Sequence, residues 1–135
     1  MKKIFLLFAF VFIATVAFAS DNIDTPYYQI KWSIFEAMPR DEGKIVFLGD
    51  SLTDYVEFDE LVPDLRIKNR GIAGDTTLGV LNRLEEVISL KPSKLFLLIG
   101  TNDIVFNRKP DEIVGNIRKI IEKFREKSPK TTIYV

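Results

Sequence analysis

The sequence of 135 residues contains neither cysteine nor histidine. The absence of cysteine excludes disulfide bonds and thiolate metal sites. The absence of histidine removes the side chain that most often serves as a general base. Lysine and arginine together number 19, as do aspartate and glutamate, and this balance argues against a basic surface for nucleic acid. We therefore predict no nucleic-acid partner, no cofactor and no metal site.

The first segment, Met1 to Ala19, has the pattern of a cleavable signal peptide. Lys2 and Lys3 supply a positive start, Ile4 to Phe18 is almost wholly apolar, and the segment ends in a small-x-small cleavage site. A membrane anchor is the alternative, but the apolar run is shorter than the roughly 20 residues that span a bilayer comfortably. We expect a signal peptide at residues 1–19, one domain at 20–135, no stable membrane anchor, and export to a periplasm or beyond.

Short apolar segments alternate with helical patterns from Pro26 to the end of the chain. Such alternation predicts βαβ units with a parallel sheet and right-handed connections. The fold class that we expect is α/β, a three-layer α/β/α sandwich around a parallel sheet. The predicted strands are Lys44 to Leu48, Arg66 to Asn69, Leu95 to Ile99 and a fourth that begins at Thr131; the predicted helices are Pro26 to Met38, Asp75 or Thr76 to Leu90, and one that starts at Pro110 and stops at Ser128-Pro129.

Helical spacing also predicts which faces are buried. The third helix should bury Ile113, Ile117, Ile120, Ile121 and Phe124. The first helix should bury Tyr27, Ile30, Ile34 and Met38, with Trp32 and Phe35 widening the same face.

The stretch from Lys44 to Thr53 is the one on which a functional interpretation depends. A buried strand ends at Gly49, and Asp50 and Ser51 follow where the chain leaves the sheet. Ligands of open α/β sheets bind just beyond the carboxyl ends of the strands, so a serine here can present its hydroxyl to a ligand. Serine is also a common helix N-cap, and this stretch alone leaves both interpretations open.

Two later stretches have the same organisation. Asn69 to Thr77 is a glycine-rich turn after a strand, and Leu97 to Asp103 is a buried strand with a polar end. All three can deliver polar groups to one edge of the sheet. The glycine-rich turn lacks the lysine and the spacing of a P-loop, which argues against nucleotide binding.

Together the three motifs resemble the first three sequence blocks of the SGNH (GDSL) hydrolases, which are esterases and acylhydrolases. The matching segments are Gly49-Asp-Ser-Leu52, Gly71-Ile-Ala-Gly-Asp75 and Gly100-Thr-Asn-Asp103. The second and third are most similar to the branch near platelet-activating-factor acetylhydrolase and bacterial O-acetylesterases. The resemblance runs from about Ile45 to the last residue and implies the flavodoxin-like fold of that family.

The resemblance also implies roles for individual residues. Ser51 would be the nucleophile, and the tetrahedral oxyanion would be bound by the backbone N–H groups of Ser51 and Gly74 and the side-chain amide of Asn102. A glycine amide can approach a substrate closely, and an asparagine donates an N–H without carrying charge. Taken alone, Gly74 and Asn102 are equally typical of turns. The aspartates of the motifs are interpreted as structural caps and turn acceptors: Asp50, Asp75 and Asp103.

The remaining block of the family, an aspartate followed three residues later by a histidine, has no counterpart in this sequence. We therefore expect these 135 residues to be the N-terminal part of a longer secreted serine esterase and to be inactive by themselves. The favoured substrate is a small-molecule or carbohydrate ester, with O-acetyl groups on carbohydrate as the first choice. The alternative is a non-catalytic module that binds acylated sugars or a partner protein.

Overall fold

Four parallel strands form the sheet within the residues that the computed structural model describes, 25–63 and 66–135. The strand order is β2-β1-β3-β4, and Phe47 of β1 pairs with Asn69 of β2 and Phe96 of β3. The predicted signal peptide lies outside the described residues. In chain order the elements are α1 (Pro26–Ala37), β1 (Ile45–Gly49), α2 (Ser51–Asp54), α3 (Phe58–Leu61), β2 (Ile67–Gly71), α4 (Thr77–Asn82), α5 (Leu84–Ser89), β3 (Lys94–Leu98), α6 (Thr101–Val105), α7 (Pro110–Lys127) and β4 (Thr132–Tyr134).

One face of the sheet carries the main hydrophobic core. Alternate residues of a strand point to the same face, and those on this face are buried under α4, α5 and α7. Of the five residues expected on the buried face of α7, Ile120 and Phe124 are fully buried, and Ile113, Ile117 and Ile121 are partly buried. The buried members of this core are Val46, Leu48, Val80, Leu84, Val87, Ile88, Leu90, Leu95, Leu97, Ile120 and Phe124.

The opposite face is covered only in part by the described residues. The rings of Phe47, Phe96 and Tyr134 lie in a row across three strands, with centroids 4.7 Å apart in each stacked pair. Phe58 of α3 packs on Phe47 at 4.3 Å. The short helices α2 and α3 therefore form the layer on this side, and the α/β fold with helices on both faces of a parallel sheet is confirmed.

Helix α1 buries Phe35 and partly buries Trp32, as predicted, but the rest of its buried face differs from the prediction. Tyr28, Trp32 and Phe35, spaced at i, i+4 and i+7, pack with Ile72, and the Tyr28 hydroxyl donates a hydrogen bond of 2.7 Å to the Gly79 carbonyl. Two sets of residues had helical spacing, and periodicity alone could not choose between them; the aromatic set offers more apolar area. The four residues expected to be buried are exposed instead: Tyr27, Ile30, Ile34 and Met38.

Two further differences concern short helices next to the strands. The predicted helix up to Leu90 is interrupted at Arg83, which separates α4 from α5 with φ −107° and ψ 11°. Thr76 caps α4 by accepting a hydrogen bond from the Gly79 N–H. The polar end of β3, for which no helix was predicted, begins helix α6 at Thr101. Within the described ranges, none of the helices combines the length and apolar character needed to cross a membrane.

Candidate active site

The sheet order brings the three sequence motifs to neighbouring strand ends. Strands β2, β1 and β3 are adjacent and parallel, so the segments that follow them leave the sheet at the same edge. Ser51 follows β1, Gly74 follows β2, and Asn102 follows β3. The expectation that all three motifs share one edge of the sheet is met.

Ser51 is the first residue of helix α2. The cap position belongs to Asp50, whose carboxylate accepts a hydrogen bond of 3.0 Å from the Leu52 N–H. The N-cap interpretation of Ser51 is therefore wrong. A side chain at Gly49 would meet the Leu98 carbonyl oxygen at 2.3 Å, so only glycine lets the chain turn here against β3. Ser51 is left half-buried at the mouth of this turn.

Gly74 lies in a tight turn after β2. Its φ of +81° is in the left-handed region that favours glycine, and the turn is closed by a hydrogen bond of 3.0 Å from the Asp75 N–H to the Ile72 carbonyl. Gly74 is half-buried, like Ser51. A backbone amide without a side chain beside it is suited to close approach by a ligand.

The side-chain amide of Asn102 is held by the second motif. Its Nδ2 donates a hydrogen bond of 2.9 Å to the Asp75 carbonyl oxygen, and the residue is half-buried. An asparagine amide has two N–H donors, so this bond orients the group and leaves a second N–H for a ligand. The bond ties the β3 end to the turn that contains Gly74.

Each candidate residue has a buried aspartate as its neighbour. Asp50 and Asp103 are 1% exposed and Asp75 is fully buried. The Asp103 carboxylate accepts from the Thr77 N–H at 2.9 Å and from the Thr77 hydroxyl at 2.6 Å, which fixes the start of α4. The aspartates point into the protein and the residues beside them retain accessible surface.

Asp75 forms a buried ion pair that the sequence interpretation missed. Its Oδ2 accepts from Arg83 Nε at 2.9 Å and from Arg83 Nη2 at 2.7 Å. Burial raises the pKa of Asp75 to about 6, although the charge and hydrogen bonds of Arg83 act in the opposite direction. The signal available in the sequence was an arginine three residues after Val80 and four before Val87, a spacing that places it on the apolar face of this helical segment.

A second aspartate, Asp54, joins α1 and α2 to the turn after β2. Its carboxylate accepts from Tyr27 and Lys31, each at 2.6 Å, and from the Ala73 N–H at 2.8 Å. Burial acts to raise the pKa of Asp54, but these hydrogen bonds and the charge of Lys31 outweigh it and lower the pKa below its ordinary value. The turn that carries Gly74 is thus anchored from two sides.

Acidic groups do not converge into a metal centre in the described part of the chain. What the arrangement offers chemically is a hydroxyl, two backbone N–H groups and a neutral amide at one sheet edge. Such donors stabilise an oxyanion that forms when a hydroxyl attacks a carbonyl.

Comparison with known proteins gives the same picture. A model of the GDSL-like lipase/acylhydrolase family matches residues 47–135. The chain is 32% identical over 100 residues to the platelet-activating factor acetylhydrolase IB subunit alpha1 of Bos taurus, covering 70% of this chain and 42% of that protein. The alpha2 subunit of Homo sapiens matches with the same identity and 43% coverage of its length.

A solved structure has the same fold. A GDSL-like lipase from Bacteroides thetaiotaomicron superimposes with a TM-score of 0.65 and 27% identity, over 78% of this chain and 56% of that one. The chain thus spans well under two thirds of the length of the proteins it matches.

Proposed function

Because this chain belongs to the GDSL-like lipase/acylhydrolase family, we propose that the full-length protein is a serine esterase with Ser51 as its nucleophile. The observation that carries the proposal is the arrangement of Ser51, Gly74 and Asn102 at three neighbouring strand ends. The neighbouring carboxylates of Asp75 and Asp103 are occupied by structural hydrogen bonds, and Asp50 caps α2 through one of its two oxygens. The half-buried residues beside them are left for the substrate.

In the proposed reaction the Ser51 hydroxyl oxygen attacks the carbonyl carbon of the ester and its proton passes to a base. The carbonyl oxygen becomes an oxyanion bound by the N–H groups of Ser51 and Gly74 and the free N–H of Asn102. The intermediate collapses, the alcohol leaves with the proton, and the acyl group stays on Ser51. Water then hydrolyses the acyl-enzyme and restores the hydroxyl.

The base that accepts this proton cannot be a histidine of these 135 residues, because they contain none. We assign proton acceptance to a histidine of the full-length protein outside them. A serine hydroxyl without a neighbouring base is almost wholly protonated at neutral pH and is a weak nucleophile. The 135 residues alone should therefore hydrolyse esters on the order of 10⁴ times more slowly than the full-length protein.

For the substrate we propose a short acyl ester, with O-acetyl groups on carbohydrate as the favoured case. The support is that the curated relatives are named as acetylhydrolases. The test compares p-nitrophenyl acetate with p-nitrophenyl octanoate, and then measures acetate released from acetylated xylo-oligosaccharides. A preference for octanoate, or no acetate from the sugar, would contradict this choice.

We also propose that residues 1–19 are removed as a signal peptide during export. The support is the charged start at Lys2 and Lys3 followed by the apolar run. N-terminal sequencing of the secreted or periplasmic protein should begin at Ser20. A mature protein that keeps Lys2 and Lys3, or that stays in the cytoplasm, would contradict export.

The central test uses the full-length gene product with a fluorophosphonate probe and p-nitrophenyl acetate. Ser51→Ala should abolish both labelling and hydrolysis. Ser93→Ala is the matched control, because Ser93 is an exposed serine immediately before β3, at the amino-terminal ends of the strands and away from the candidate site. A Ser51→Ala variant that is still labelled would rule out the nucleophile. A folded wild type that binds acetylated sugars but never hydrolyses them would support the non-catalytic module instead.

A further inference from the structure

Arg83 is a buried arginine whose hydrogen bonds all end in the segments of the candidate site. The residue is 2% exposed. Besides its two bonds to the Asp75 carboxylate, Nη2 lies 3.3 Å from the Gly49 carbonyl oxygen, which accepts a hydrogen bond from it. One guanidinium group therefore holds the end of β1 and the turn after β2 at the same time.

The two residues that Arg83 binds, Gly49 and Asp75, are close in the chain to the proposed oxyanion donors. The Gly49 carbonyl belongs to the peptide unit immediately before the one that carries the Ser51 N–H. Asp75 follows Gly74, and its carbonyl oxygen accepts the hydrogen bond from Asn102 Nδ2 at 2.9 Å. Arg83 thus contacts the first two motifs directly and reaches the third through Asp75.

We propose that Arg83 is a positioning residue, which sets the relative geometry of the Ser51, Gly74 and Asn102 donors through Gly49 and Asp75. This inference rests on the proposed esterase function. A planar guanidinium donates in several fixed directions, so it can bridge a carboxylate and a carbonyl where a lysine ammonium offers only a compact point charge. Misplacing reacting groups by about 1 Å can lower a rate by about 10².

A purely structural role is the competing explanation, and the molecule contains a matched control for it. Arg70 of β2 is also 2% exposed and pairs with buried Glu86 of α5, through Nε at 3.1 and 3.2 Å from the two carboxylate oxygens. Its other hydrogen bond goes to the carbonyl oxygen of Asn69, its neighbour in the strand. This pair is as buried as the first and makes no bond to Gly49, Gly74, Asp75 or Asn102.

The experiment replaces each pair by apolar residues in the full-length gene product: Arg83→Met with Asp75→Leu, and Arg70→Met with Glu86→Leu. Replacing a buried ion pair by apolar side chains of similar volume often keeps the fold. The first double variant should lose about 10² in kcat with KM within about twofold, because donors to the oxyanion act in the transition state. The second should keep kcat. Equal losses in both, or an unchanged kcat in the first, would overturn the proposal.

A measurement that needs no turnover separates this inference from the proposed function. In NMR spectra the side-chain amide protons of Asn102 should shift and exchange faster with water in the Arg83/Asp75 variant, and stay unchanged in the Arg70/Glu86 variant. If the wild type hydrolyses no ester, the esterase proposal fails, and unchanged Asn102 signals in the first variant would also overturn the positioning role.

Arg83→Lys provides a third variant in case the first double variant does not fold. It keeps a positive charge beside Asp75 but cannot reproduce the fork that also reaches Gly49. With the fold retained, kcat should fall by about tenfold with KM little changed. Wild-type kcat in a folded Arg83→Lys protein would overturn the inference.

Discussion

Two buried arginine pairs lie side by side in this domain, and they differ in where their hydrogen bonds end. Both guanidinium groups face the ring of Phe35, with Cζ 4.7 Å from the centroid for Arg70 and 6.0 Å for Arg83. Arg70 ties β2 to α5. Arg83 ties the end of β1 to the turn after β2. Burial and pairing are nearly the same in the two pairs, so neither property identifies a functional residue. The difference lies in the segments that the hydrogen bonds connect.

The largest expected effect treats the two pairs alike. Arg83→Ala leaves the buried Asp75 carboxylate without its arginine partner, and Arg70→Ala leaves the buried Glu86 carboxylate with only Arg40, whose Nη1 lies 3.8 Å away. Each change should lower the free energy of unfolding by about 3–5 kcal/mol. Urea denaturation monitored by circular dichroism measures both. A loss below about 1 kcal/mol in either variant would show that water reaches the remaining carboxylate. The two pairs would then not contribute equally to stability.

The next effect separates two neighbours, Asn102 and Asp103. Asn102→Ala removes one proposed oxyanion donor and should lower kcat by about 10²–10³ with KM little changed. Asp103→Asn should instead destabilise the fold by about 1–3 kcal/mol, because it weakens the bonds to the Thr77 N–H and hydroxyl. Steady-state kinetics and urea denaturation of the full-length protein test both. Full kcat in Asn102→Ala, or lost kcat in a stable Asp103→Asn, would reverse the assignment.

The third effect is the pH dependence that Asp75 confers. Its pKa rises from 3.8 to about 6 on folding, so between these values the folded state holds a proton that the unfolded state has released. Unfolding free energy should therefore fall as pH rises from about 4 to about 6, by roughly 2–3 kcal/mol from this group. Urea denaturation across this range should show the slope in the wild type and its loss in Asp75→Asn.

Asp54 is the control for the sign of this slope. Its pKa is lowered, so its stabilisation is present above the unfolded pKa of 3.8 and is lost as pH falls through the lower folded pKa. Asp54→Asn should leave the slope between about pH 4 and 6 intact. If Asp54→Asn abolished that slope and Asp75→Asn did not, the two pKa shifts would have been assigned to the wrong groups.

The smallest effect concerns the hydrogen bond from Tyr27 to Asp54. That bond, followed by burial, raises the pKa of Tyr27 to about 12. The tyrosine is 45% exposed, so Tyr27→Phe should cost no more than about 1 kcal/mol of unfolding free energy. In the wild type, phenolate absorbance should appear only near pH 12 for this group. If Tyr27→Phe lowered the unfolding free energy as much as Arg70→Ala, the hydrogen bond from Tyr27 to Asp54 would be as stabilising as a buried ion pair, which would contradict this prediction.

The sequence was sufficient for the parts of the structure that depend on local pattern. The apolar runs at β1 and β3, and the glycine with which each motif begins, predicted the sheet and the edge where Ser51, Gly74 and Asn102 lie. Arg83 was not predicted, because its partners Gly49 and Asp75 become neighbours only when β1 and β2 pair. The buried face of α1 was predicted correctly for Trp32 and Phe35 but not for Tyr28, because the choice between the two helical faces depends on contact with Ile72, which is distant in the chain.

The packing of α1 also has a spectroscopic consequence. The sequence has one tryptophan, Trp32, and its ring lies edge-on to Tyr28 with centroids 6.0 Å apart. The indole fluorescence of these 135 residues therefore originates in the contact between α1 and the residues around Ile72, beside the turn that carries Gly74. A red shift of that emission, and the return of tyrosine emission now quenched by energy transfer, would signal undocking of this helix before the sheet unfolds. Within these 135 residues, Trp32 is thus an intrinsic fluorescence probe of the segment that supports the second motif.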